Sequence, residues 1–309
     1  MVRRLVLWFG IVLVLGLGLP PGIGAQDDPR LDNLCEEVLQ AIGSFYPVHA
    51  TEMGIHDHDF RFADYSASSV SEMVRKLDGF KRRLAPHEKR TLGTEQSIRF
   101  ELIRANVEVT LQDLQKIAWH NRLPQLYVDE AINGLYFLIN SQHASLDERV
   151  APIMARMMAV PALFITAKSN LKSPPQIWID EAVESIEPAI EFYGQVAAEL
   201  MQRYPGRADA ILETSTSARE AMTSFGQWLE HLPPGDSTSF AIGRENFDFK
   251  LRHEYFLTYD ADSLLRLGEA LLAEAQAEYT DYRQYVEEDR QTGADDPYVP
   301  RCFSRTDIL

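Results

Sequence analysis

The densest group of side chains able to do chemistry is His56-Asp57-His58-Asp59, where every member can ligate a metal or carry a proton. Histidines two apart reach one metal only from extended backbone, and no third histidine follows within the same stretch. Zn²⁺ needs three or four converging ligands, so His56, His58 and Asp59 are metal candidates that spacing alone does not assemble into a site. A loop in which Asp and His side chains bond neighbouring backbone groups accounts for the same residues. Two His-Glu dipeptides occur, His87-Glu88 and His253-Glu254. A zinc peptidase helix places its second histidine three residues after the glutamate, so that both imidazoles share one face. Thr91 and Leu257 stand at those positions, and neither dipeptide is a zinc motif. There is no Gly-x-Ser-x-Gly elbow, phosphate-binding loop or Gly-x-Gly-x-x-Gly, and no Ser or Cys nucleophile has an evident partner. No catalytic or cofactor-binding residue is therefore assigned. Trp119, Tyr127, Tyr136, Phe137, Trp178 and Phe192 are enough aromatic surface for a ligand groove, but their helical spacing reads as core.

The elements that position these residues are helices. Leu264, Leu267, Leu271, Ala275, Tyr279, Tyr282 and Val286 recur at steps of three and four, an apolar stripe that must lie against something. Asp260 or Asp262 supplies its N-cap. Similar stripes predict helices over 31–42, 94–119, 126–140, 146–159, 161–171 and 207–231, with Pro152 and Pro161 as punctuation. A stripe from Trp178 to Leu200 predicts one more, kinked or restarted at Pro188. Ser69-x-x-Glu72 reads as a capping box for a helix ending near Leu84, and residues 49–66 read as an ordered loop. No segment alternates at strand period for long. The expected fold is all-α, a multi-helix domain spanning 26–290.

Arg3-Arg4, the apolar run Leu5–Leu19 and the break at Pro20-Pro21 before Ala25 form a secretory signal pattern. Residues 1–25 are expected to be removed near Ala25, taking the formal charge from −16 to −18 and leaving no stable membrane span; the alternative is an uncleaved anchor, because Ile23 stands where a small residue is usual before the cleavage point. The expected location is periplasmic or extracellular. No cysteine follows the apolar run, which excludes a lipid anchor there. The acidic charge repels phosphate backbones and argues against a nucleic-acid partner. Cys35 and Cys302 are too few for a disulfide framework.

Several ordered phrases carry a family resemblance. Tyr46-Pro47, Ala50-Thr51, Gly54-Ile55-His56, Asp59, Arg61 and Ser66 form the first. Met158 to Pro161 with Ala167, Asn170-Leu171 and Pro174-Pro175 form the second. Ile242-Gly243, Phe247, Leu264 and Leu267-Gly268-Glu269 form the third. Together they resemble the N-terminal half of the bacterial family called domain of unknown function 885, regarded as exported zinc metallopeptidases. The resemblance implies a mostly helical hydrolase acting on peptides. In complete members a His-Glu-x-x-Pro-Gly-His helix and a later Glu-Gly-Trp segment hold Zn²⁺ and activate water. Neither occurs here, so zinc is expected only in complete members, and residues 291–309 read as a truncated tail. Self-association through the 260–288 helix is then expected. The alternative is a free-standing helical binding module.

Overall fold

The computed structural model describes residues 28–88, 92–238 and 240–292. Residues 1–25, where a signal segment is expected, together with Thr91, Cys302 and the residues beyond 292, lie outside the described residues. Among the described residues the fold is all-α, with ten α-helices and no strand, as the apolar stripes predict. Two compact units divide the chain, one reaching Phe256 and the other starting at Leu257.

In the first unit, α1 (Pro29–Phe45), α3 (Ala67–Leu84) and α4 (Thr94–Leu111) pack around Leu34, Val38, Leu77, Phe80, Ile103 and Val107. Cys35 lies inside this cluster, and burial pushes its thiol up to about 11. A larger core is built by α5 (Pro124–Asn140), α6 (Leu146–Asn170), α7 (Gln176–Arg203) and α8 (Ala208–Glu230). There α6 packs on α5 and α8, and α7 packs on the same two helices, closing a four-helix ring. The short α2 (Pro47–Glu52) joins the two cores by packing on α1 and α5, and α9 (Arg244–His253) lies on α4.

Four local readings are corrected. The cap of α3 is Ser66, whose hydroxyl accepts from the Ser69 amide at 3.3 Å; Ser69 instead donates to Asp64 at 2.5 Å. Residues 49–52 belong to α2 rather than to a loop. The helix expected to reach Trp119 leaves α geometry at Gln112, passes through a π-helical turn over Gln112–Ile117 and stops at Ala118, whose φ is 53°. Prolines 152 and 161 do not divide α6, and Pro188 does not divide α7. An interior proline removes one backbone hydrogen bond and costs about 3 kcal/mol. The buried row Val150, Ile153, Met157, Val160, Phe164 and Ala167 runs through both prolines of α6 and more than offsets that. By length and composition α6 is apolar enough to cross a membrane, but half of that window is buried in the core.

The second unit contains α10 (Ala261–Thr292). Asp260, one of the two caps the sequence offers, accepts from the Ser263 amide at 2.8 Å. Leu265, Leu271, Leu272 and Tyr279 on this helix are each more than half exposed.

Candidate functional site

After α2 the chain turns through residues 53–66, and contacts to α2, α5 and α6 hold that segment in place. The Thr51 hydroxyl donates to Asp59 Oδ1 at 2.6 Å and accepts from Arg156 Nη2 at 2.6 Å. Arg156, fully buried on α6, also donates to the Gly134 carbonyl at 2.7 Å and to the Pro47 carbonyl at 3.3 Å. Its Nη2 lies 3.8 Å from Asp59 Oδ1. Burial pulls the guanidinium down to about 10, against the pull of Asp59 and Glu130, and it stays charged at neutral pH. Further along, the Ala63 amide donates to Glu130 of α5 at 2.9 Å, and the Phe62 ring packs on Gly134.

Burial pushes the Glu130 carboxyl up to about 7, above its ordinary 4.5. The native state therefore holds this proton more tightly than the unfolded chain does. Its contribution is complete below about pH 4.5 and is lost as pH rises toward 7. Thermal unfolding from pH 5 to pH 8 should show a loss of stability with rising pH that is reduced in Glu130→Gln. Equal slopes for the two proteins would remove Glu130 as its source.

Of the metal candidates, the structure brings His56 and Asp59 together and leaves His58 apart. His56 Nδ1 is 2.9 Å from Asp59 Oδ2. His58 Nδ1 instead accepts from Arg61 Nη2 at 3.3 Å, and its Nε2 is buried with no hydrogen-bond partner among the described residues. The third member is His143, from the connection between α5 and α6. Its ring stacks on His56 with centroids 3.3 Å apart and planes 12° from parallel. That connection is fixed by Arg149, which donates to the carbonyls of Leu138, Ile139 and Ala144, and by Ser145, which caps α6 with Glu148.

A second polar cluster surrounds the π-helical turn. Lys250 of α9 lies 2.9 Å from Asp113 and 2.6 Å from Glu254, and Trp119 Nε1 donates to Asp113 at 3.0 Å. Burial pushes the Asp113 carboxyl up against the pull of Lys250. Burial likewise opposes the Lys250 charge, but Asp113 and Glu254 outweigh it and hold the ammonium above its ordinary range. The Tyr46 phenol is raised by burial, with Asp113 and then Glu130 adding to it, so it feels both clusters. Gln112, inside the widened turn, donates to the Asn246 carbonyl at 3.1 Å and ties α9 to this point. π-turns recur at functional positions because they redirect side chains within a helix.

Three residues of the two His-Glu dipeptides have partners of their own. Glu254 is engaged by Lys250, and His253 faces Glu108 at 3.2 Å. His87 faces Asp28 at 3.1 Å. Among the described residues the six aromatic side chains fall into separate contacts. Tyr127 is core, donating to the His120 carbonyl at 2.7 Å and accepting from Asn170 at 2.9 Å. Trp119 meets Trp178, while Tyr136 meets Phe137 and Phe192 meets Tyr193.

Sequence reasoning missed Arg156, Glu130, His143, Asp113 and Lys250. One signal was present for Arg156: it is the sole charged residue between Arg149 and Lys168, in a stretch otherwise apolar enough to be core. His143 had none, because its approach to His56 depends on the packing of α5 against α2.

A family model described as "Bacterial protein of unknown function (DUF885)" matches residues 47–297. No curated protein matches the chain. Among solved structures, one described as a lipoprotein of unknown function from Shewanella oneidensis superposes with a TM-score of 0.70 at 17% identity. The match covers 88% of this chain and 50% of that one, so this chain spans about half the length of that protein. At that identity the likeness establishes the fold alone.

Proposed function

The chain belongs to the bacterial DUF885 family, and from that premise we propose that it forms the helical, non-catalytic N-terminal part of an exported zinc-dependent peptidase or related hydrolase. The observation that carries this reading is the two-to-one length relation with a solved protein of the same fold. The state of the two His-Glu dipeptides also supports it, since His87 faces Asp28, His253 faces Glu108 and Glu254 is paired with Lys250. In this reading the peptidase zinc, its water-activating glutamate and the peptide substrate belong to a His-Glu-x-x-Pro-Gly-His segment that this sequence does not contain. Export is supported by the Arg3-Arg4 and Leu5–Leu19 pattern and by the description of the structural neighbour as a lipoprotein. Sequencing the DNA beyond the last codon tests the reading: a frame encoding His-Glu-x-x-Pro-Gly-His supports it, and unrelated sequence argues for a free-standing helical module.

The exposed face of α10 fits the same reading, as a surface covered by the remaining half of a longer protein. Each exposed leucine that becomes covered gains roughly 1.5–3 kcal/mol, so the chain alone is driven to pair with a second copy. Changing Leu264, Leu271 and Tyr279 to serine together should convert a self-associating chain into a monomer with unchanged helicity by circular dichroism. Sedimentation velocity reads the outcome. Wild-type protein that stays monomeric at high concentration would contradict the pairing.

A further inference from the structure

We propose that His56, Asp59 and His143 form a binding site for a divalent transition-metal ion of the zinc class. One ligand atom from each of the three side chains lies within 4.8 Å of the other two, so a single ion can reach all three with small side-chain rotations. The 2.9 Å between His56 Nδ1 and Asp59 Oδ2 is the spacing of two donors held about 2.1 Å from one ion at close to a right angle. Two imidazoles and one carboxylate are a donor set that suits Zn²⁺, Co²⁺, Ni²⁺ or Cu²⁺ over the oxygen-seeking Mg²⁺ and Ca²⁺.

The surroundings hold each donor in place. Asp59 is buried, and its Oδ1 is engaged by the Thr51 hydroxyl at 2.6 Å with Arg156 beyond it at 3.8 Å. Its Oδ2 is the oxygen turned toward His56. The Arg156 charge lies on the Oδ1 side and weakens the site without blocking Oδ2. His143 Nδ1 is 2.6 Å from the Ser141 hydroxyl, the kind of outer partner that fixes the orientation of a ligating imidazole. His143 is exposed, so the ion keeps an open position for water. An ion here ties the segment after α2 to the α5–α6 connection. The spacing argument against metal in this loop counted only His56 and His58; His143 changes it by supplying the third ligand from elsewhere in the chain.

Isothermal titration of metal-free, tag-free full chain with ZnCl₂ tests the proposal, with Co²⁺ absorption in the visible as a second readout. The expected result is one equivalent of Zn²⁺ and a Co²⁺ spectrum of nitrogen-ligated metal. His143→Ala, which alters only an exposed connection, should weaken binding roughly tenfold or more and abolish the Co²⁺ bands. His58→Ala should leave both unchanged. No stoichiometric binding by the wild type would overturn the site, as would affinity left unchanged by His143→Ala or binding lost in His58→Ala. Metal binding is measured here without reference to peptide cleavage, so its failure leaves the proposed function standing.

Discussion

Replacing Arg156 with methionine is expected to lower the stability of the first unit by about 3–5 kcal/mol, the usual cost of removing one partner from a buried charge network. The side chain is fully buried and serves three acceptors, the carbonyls of Pro47 and Gly134 and the Thr51 hydroxyl. Methionine fills comparable volume but donates nothing, so those acceptors lose their donor and Asp59 loses its cation. Urea unfolding followed by the fluorescence of Trp119, Trp178 and Trp228, all in this unit, measures the effect. A loss below about 1 kcal/mol, the worth of one ordinary hydrogen bond, would mean that the network does not hold the 53–66 segment.

The second large effect is at Gly134. A Cβ there falls inside van der Waals contact with Phe62 Cε1 and 3.3 Å from two further ring atoms. In a solvent-facing helix, alanine in place of glycine gains up to about 1 kcal/mol. At Gly134 the ring has little room to retreat, because the Ala63 amide is bound to Glu130 and Asp59 is bound to Thr51 on either side of it. Overpacking then wins, and Gly134→Ala should lose about 1–3 kcal/mol with faster hydrogen exchange over 55–66. Gly79→Ala in α3 is the control. Its Cβ meets nothing nearer than Arg82 Nη2 at 4.0 Å, so the helix-propensity gain should appear. Stabilisation at both positions would show that the Phe62 contact is soft.

Helix number and faces were legible because each core helix carries its own apolar row, such as Phe100, Ile103, Val107 and Leu111 on α4. The misread boundaries have local causes that no period reports. Ser66 outcompetes Ser69 as a cap because Asp64 takes the Ser69 hydroxyl. The π-turn after Leu111 keeps Gln112, Leu114 and Ile117 buried together, a result of packing rather than of residue type. The prolines of α6 looked like breaks because their cost is local, while the burial that offsets it is spread over the whole helix.

The candidate site was only partly legible. His56 and Asp59 stood out as a cluster, yet the residues that give them meaning come from α5, α6 and the connection between them. Arg156 and His143 enter through tertiary contacts, and sequence spacing carries no trace of such contacts except a lone charge in an apolar run.

The most direct test of the central claim, that this chain is the non-catalytic helical part of a zinc hydrolase, is a peptidase assay on the purified full chain loaded with Zn²⁺. A pool of internally quenched peptides covers a wide range of sequences. The account predicts Zn²⁺ bound at His56, Asp59 and His143 and no cleavage above the metal-only blank. Zinc-dependent cleavage that disappears in His143→Ala would contradict it, and would make that metal centre catalytic.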